Sequence, residues 1–204
     1  MIPPYPIFKK GIKDSLLPPY NGAMSEPLSK HHTPTKPATA EMIVRAWLGS
    51  IIGIGSIAWL AKLQFSGSDY FLLIGSFGAS SVLVYAAPGS PFAQPRNLFG
   101  GHFLSALIGV ISYLLLQDTP VLAAAFAVAT SIAVMQLTCT VHPPGGATAL
   151  IAVIGSNSVQ QLGFAYVIPI IIGAGVLFVI ALASQNLFSS ARRYPEYWWG
   201  RGSL

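Results

Sequence analysis

Charge is what this sequence has least of. Only 8% of its 204 residues are Asp, Glu, Lys or Arg, against about 25% in an ordinary soluble domain. From Ala46 to Ala191 the only charged residues are Lys62, Asp69, Arg96 and Asp118. A soluble surface cannot be built from that stretch, and with 53% hydrophobic residues overall it reads as membrane-embedded. The near-absence of carboxylates argues against a cation pump, whose site brings Asp or Glu into the bilayer. Cysteine is almost missing too, and the single Cys139 rules out an internal disulfide. Four histidines and one cysteine do not make a zinc site. Cys139 and His142 lack a third, orienting acid for nucleophilic catalysis, and there is no glycine-rich phosphate loop. The expectation is a protein with no enzymatic activity, no cofactor and no metal.

The formal charge of +5 sits in the two ends, in Lys9, Lys10, Lys13, Lys30 and Lys36 and in Arg192, Arg193 and Arg201. Basic flanks on an apolar body follow the positive-inside rule and are no nucleic-acid footprint. Residues 1–40, rich in Pro, Lys, Ser and Thr, read as a disordered or surface-lying cytoplasmic tail without a signal sequence. His31 and His32 lie in it as solvent-exposed filler. Residues 189–204 read as a cytoplasmic interfacial tail.

Between the tails run six apolar segments, at about 42–63, 70–87, 98–117, 120–137, 145–155 and 164–188. The fold class expected is an all-α membrane protein with about six transmembrane segments, two of them interrupted or half-helices. The fifth is too short to cross alone, since a span needs about 20 residues. A four-crossing arrangement, with the second and fifth segments only dipping in, keeps the same ends. Either count is even, so both basic termini are expected in the cytoplasm. Trp47 and Trp59, and Tyr194, Tyr197, Trp198 and Trp199, are expected at headgroup level. Small residues recur four apart in Gly49 and Gly53, in Gly101, Ser105 and Gly109, and in Ala123, Ala127 and Ser131. They suit close helix packing within one subunit, with a homo-oligomer face as the alternative.

The most informative stretch is Thr138-Cys139-Thr140-Val141-His142-Pro143-Pro144-Gly145-Gly146-Ala147-Thr148-Ala149. Two prolines cannot continue a helix, yet apolar runs flank them. Broken helix at membrane depth is tolerated only where protein or a water-filled cavity satisfies the freed backbone. Gly78-Ala79-Ser80-Ser81-Val82-Leu83 lines up with Gly146-Ala147-Thr148-Ala149-Leu150-Ile151 at a constant offset of 68 residues. That divides the chain into two three-segment halves, about 42–117 and 118–188, which would be inverted repeats meeting at a central site. Short helices beginning near Gly78 and Gly146 would present unpaired N–H groups and a partial positive charge. Ser76, Ser80, Ser81 and Thr148 would add hydroxyls, making a site for a small monovalent anion without a full countercharge. His142 either braces the bend, contacts the ion or carries a proton. Thr148 either donates to the ion or bonds its own helix. Asn97 could cap the third helix, Arg96 could attract anions or anchor at headgroups, and His102 could face the same cavity.

At Val141-His142-Pro143-Pro144-Gly145-Gly146-Ala147-Thr148 the chain resembles the HPP family of integral membrane proteins. Gly75-Ser76-Phe77-Gly78-Ala79-Ser80 and Gln94-Pro95-Arg96-Asn97-Leu98-Phe99-Gly100-Gly101-His102 match the family's pattern as well. The resemblance covers about residues 41–188, the expected transmembrane domain. It implies four spans rather than six, and transport of nitrite, known for members from photosynthetic lineages. A bacterial plasma membrane fits better than a plastid envelope, because no arginine precedes Arg45 as a transit peptide would require. The substrate-binding set expected is Ser76, Phe77, Gly78, Ala79, Ser80, His142, Pro144, Gly145, Gly146, Ala147 and Thr148, with Arg96, Asn97 and His102 secondary. The partners expected are a small inorganic anion and the lipid bilayer. The competing reading is a non-transporting membrane scaffold or sensor, or a channel for another small anion.

Overall fold

Helix forms along each uninterrupted apolar run, because only a helix satisfies its own backbone in lipid. The computed structural model describes residues 37–64, 69–187 and 193–199. Most of the N-terminal tail, His31 and His32 included, lies outside the described residues. The helices are α1 (Ala40–Gln64), α2 (Asp69–Ser81), α3 (Pro95–Leu116), α4 (Pro120–Leu137), α5 (Pro143–Ile154), α6 (Asn157–Gln160) and α7 (Val167–Asn186). Among the described residues there is no strand. Four helical stretches, Ala40–Leu63, Pro95–Leu116, Pro120–Leu137 and Gly163–Asn186, are long and apolar enough to cross a membrane. The chain is an all-α, multi-pass membrane protein. The other two apolar segments are the short helices α2 and α5. The 12 residues of α5 reach about 18 Å, against a hydrocarbon core of about 30 Å.

Two helix starts differ from the sequence expectation. No helix begins near Gly78: α2 runs through it from Asp69. A lone glycine in a helix costs only about 1 kcal/mol and does not break it. The irregularity comes later, where α2 widens into a π-helical turn over Val82–Ala86. Gln185 of α7 donates to the Tyr85 carbonyl of that turn at 2.9 Å, answering a group that the misaligned ladder leaves over. Asn97 is no cap either. Pro95 occupies the first position of α3 and Gln94 is its N-cap, as suits a proline whose missing N–H would have had no partner. The Asn97 amide instead donates to the Val141 carbonyl at 2.8 Å.

The prolines of the 143–144 pair start α5 rather than break a helix. His142, extended at φ −137° and ψ 102°, is its N-cap. Before it, α4 ends with Cys139 in the left-handed region at φ 55°. The Thr140 N–H reaches the Met135 carbonyl and the Cys139 N–H the Gln136 carbonyl, a Schellman closure with cysteine where glycine is usual.

Small residues bring the helices together. Ala123, Ala127 and Ser131 of α4 are fully buried, which is the packing within one subunit that their spacing suggests. Gly101 and Gly109 of α3 lie against α5. A Cβ at Gly109 would stand 2.5 Å from the Ala149 carbonyl oxygen and 2.8 Å from the Ala152 Cβ. A Cβ at Gly173 of α7 would strike the Phe77 ring. Trp47, Trp59 and Trp199 are exposed as membrane-facing rings should be, whereas Tyr194 is 3% exposed. Tyr194 is therefore packed within the protein rather than a lipid-facing ring. Its hydroxyl donates to the Ala93 carbonyl at 2.7 Å, and its backbone pairs with the Asn186 side chain.

Gly109→Ala should destabilise the protein by about 1–3 kcal/mol through overpacking. Gly55→Ala, where a Cβ meets nothing within 4 Å, should be neutral or stabilising by up to about 1 kcal/mol. Thermal unfolding of both variants in detergent micelles checks the contrast, and equal midpoints would refute the α3–α5 contact.

Candidate functional site

Polar side chains converge where α2, α3 and α5 meet. The helix period puts Ser76 and Ser80 on one face of α2, and His102 lies two turns into α3. His142 and Thr148 bracket the first turn of α5. All five are buried, none more than 1% exposed. Ser76 Oγ lies 2.7 Å from Thr148 Oγ1. Thr148 Oγ1 lies 2.8 Å from His102 Nδ1, and His102 Nε2 lies 2.8 Å from Ser80 Oγ. Ser80 Oγ lies 2.9 Å from His142 Nε2, and His142 Nδ1 lies 2.8 Å from the Phe92 carbonyl oxygen. The two imidazole rings stand 4.8 Å apart at 58°, and the Phe77 ring covers His102 at 5.2 Å. Neither a carboxylate nor a guanidinium belongs to this cluster.

The segments aligned at the 68-residue offset touch here. Ser76 Oγ lies 3.1 Å from the carbonyl oxygen of Pro144, its counterpart at that offset. Ser80 and Thr148, also counterparts, flank the two nitrogens of His102. Each also reaches the carbonyl four residues back, at 3.3 Å for Ser80 and 3.4 Å for Thr148.

Ser76, Phe77, Ser80, His102, His142, Pro144 and Thr148 are thus brought together. Gly145 packs against α3, where a Cβ would meet Ser105 Oγ at 2.7 Å. Gly146 and Ala147 face α4 across a cavity of about 520 Å³, lined also by Val128, Gln136 and Pro143. A Cβ at Gly146 would meet only Val128, at 3.8 Å. Ala79 is exposed and Gly78 half-buried, both turned away from the cluster. Arg96 is half-buried and donates to the Thr138 carbonyl at 2.8 Å, a cation on the negative end of α4. The N-terminus of α5 also offers fewer free donors than expected. Pro143 and Pro144 have no N–H, and the Gly145 N–H bonds the His142 carbonyl.

Two contributors escape the sequence. Phe92 acts through its carbonyl, which any residue type would supply. Tyr166 is fully buried and donates its hydroxyl to the Thr148 carbonyl at 3.0 Å. Its place beside an apolar run suggests only an interfacial ring.

Buried histidines and hydroxyls at the junction of two short segments, among four membrane-length helices, define a membrane protein built around a polar centre. A family model for the HPP transmembrane region matches residues 35–195, and the chain belongs to that family. It is similar to two transmembrane proteins of Dictyostelium discoideum. One is 44% identical over 163 residues, covering 78% of this chain and 56% of the relative. The other is 42% identical over 166 residues, covering 79% and 53%. The chain thus spans little more than half the length of these relatives. No solved structure matches it.

Among the described residues, the Ser80 hydroxyl is hydrogen-bonded to both rings. Ser80→Ala should cost about 1–3 kcal/mol, the usual penalty for stranding buried polar partners. Ser112→Ala should cost less than about 1 kcal/mol, because that hydroxyl bonds only its own helix at the Ile108 carbonyl. Chemical or thermal denaturation in micelles separates the two, and an equal loss would deny the bridge.

Proposed function

We propose that this protein carries a small monovalent anion, nitrite foremost, across a plasma membrane, with both termini in the cytoplasm and the α2–α3–α5 cluster on the anion's path. One observation carries the reading. The buried polar centre consists of hydroxyls and imidazoles, and the only carboxylates between residues 46 and 191 are Asp69 and Asp118 at helix ends. Such a centre offers donors to an anion and no countercharge to trap it, and it repels no negative charge. Nitrite as cargo comes from the family resemblance, and the orientation from the basic ends. The α4–α5 cavity beside Gly146 supplies room next to the first turn of α5.

A scaffold or sensor is the second reading, and one feature favours it. Every side-chain polar atom of the cluster already has a partner inside the protein. An anion must displace one of these bonds, and Ser76 to Thr148 is the easiest, since both hydroxyls keep a carbonyl to fall back on.

Uptake of nitrite, nitrate, formate and chloride into liposomes holding only this protein tests the proposal. Thr148→Val removes a donor worth roughly 1.5–3 kcal/mol to a charged partner, so affinity should fall about tenfold to hundredfold. Gly146→Leu should narrow the cavity beside the first turn of α5 and block flux while the protein stays folded. Wild-type rates in both folded variants, or no flux through the wild type, would favour the scaffold.

A further inference from the structure

The five short hydrogen bonds of the cluster have a forced direction. A carbonyl only accepts, so His142 Nδ1 carries a hydrogen and gives it to Phe92 O. With a neutral ring, His142 Nε2 must accept from Ser80. The Ser80 hydroxyl has one hydrogen, so it in turn accepts from His102 Nε2–H. His102 Nδ1 then accepts from Thr148, and Thr148 accepts from Ser76. Each hydrogen is used once, and each of these polar atoms is satisfied. The two imidazoles therefore hold opposite tautomers.

We propose that Ser76, Thr148, His102, Ser80 and His142 form a proton relay that reverses as a unit, and that a proton accompanies the transported anion. The second half rests on the transport reading; the first rests on the geometry alone.

The proton count balances. A hydronium, or the protonated anion, delivers a proton to Ser76 Oγ. Ser76 passes its own hydrogen to Thr148, Thr148 to His102 Nδ1, His102 from Nε2 to Ser80, and Ser80 to His142 Nε2. His142 becomes an imidazolium, and the other four groups end with the number of hydrogens they began with. Every bond between side chains now points the other way. The displaced Ser76 hydroxyl has an acceptor ready in Pro144 O at 3.1 Å. His142 then gives its Nδ1 proton to a water molecule at the turn of Pro91–Ala93, where Phe92 is 40% exposed, and is left neutral with its hydrogen on Nε2.

Among the described residues no other ionisable group bonds either ring. Of the elements packed on the rings, α2 presents Ser76, Phe77 and Ser80, while α4 and α7 have no Asp, Glu, Lys, Arg or His in their helical residues. Tyr166 touches the cluster only at the Thr148 carbonyl. Tyr194 holds the Ala93 carbonyl, and Arg96 holds Thr138 O at the end of α3.

Two readouts decide it. Nitrogen-15 solid-state NMR of histidine-labelled protein carrying His31→Ala and His32→Ala, in lipid bilayers near neutral pH, should show one of the two remaining rings protonated at Nδ1 and the other at Nε2. Two rings with the same tautomer, or both averaging between forms, would overturn the relay. In liposomes, nitrite uptake above the leak of protein-free vesicles should follow an inward proton gradient and ignore a potassium–valinomycin potential. Ser80→Ala should lose that proton drive at least tenfold, and Ser80→Thr should restore it. Uptake that follows the potential alone, or Ser80→Ala uptake still driven by protons, would overturn the coupling. If the wild type carries no nitrite under either gradient, the transport reading and the coupling fail together, while the NMR spectra still decide the relay.

Discussion

A polar group at membrane depth must find its partner inside the protein, because lipid offers none. Here that constraint falls on two chain breaks, the link of residues 87–94 after α2 and the link of residues 138–142 between α4 and α5. Gln94 donates to the Pro88 carbonyl at 2.8 Å and accepts the Glu196 N–H at 2.9 Å. Asn97 and Arg96 hold the Val141 and Thr138 carbonyls. His142 joins the two breaks directly through Phe92 O. Each of these bonds is worth only about 1 kcal/mol when made, but more when one partner is left alone. The two breaks are therefore tied to each other as well as to their own helices.

Packing serves the same junction. Gly101 lies where a Cβ would strike His142. Gly145 lies over Ser105 and the Gly101 carbonyl, and Phe77 fits the notch at Gly173. Without a hydrophobic force between helices in lipid, such close contacts carry much of the association. They also set the distances of the histidine cluster, since His102 and Gly101 are neighbours in α3 and His142 opens α5. A methyl group at Gly101 would thus displace a ring one residue or one helix away.

Much of this was legible in the sequence. Low charge and long apolar runs mark the membrane class, and the proline pair marks the start of α5. The likeness of the two segments that touch is visible in the sequence, at an offset of 68 residues that matches Ser76 with Pro144 and Ser80 with Thr148. The helix supposed to begin at Gly78 does not exist, because small residues without proline leave a helix intact. That leaves one helix N-terminus at the centre instead of two, and prolines strip two of its donors. Weight moves from backbone N–H groups to side chains, and His102 from a secondary position to the middle. Nothing local in the sequence marks His102, since its partners lie 22 and 46 residues away. The docked Tyr194 is hidden for the same reason: its partner Ala93 is 101 residues distant.

The shared polar centre requires Ser76 and Thr148 to meet inside the membrane. Their oxygens stand 2.7 Å apart, and sulfur atoms in those places need to close only to about 2.0 Å to form a disulfide. With Cys139→Ser removing the native thiol, Ser76→Cys and Thr148→Cys can be introduced together and the protein oxidised mildly in lipid bilayers. Mass spectrometry of the digested chain should then find the two peptides joined within one molecule. Two free thiols under conditions that oxidise an exposed cysteine pair would show that the segments do not meet, and the shared polar centre would be wrong.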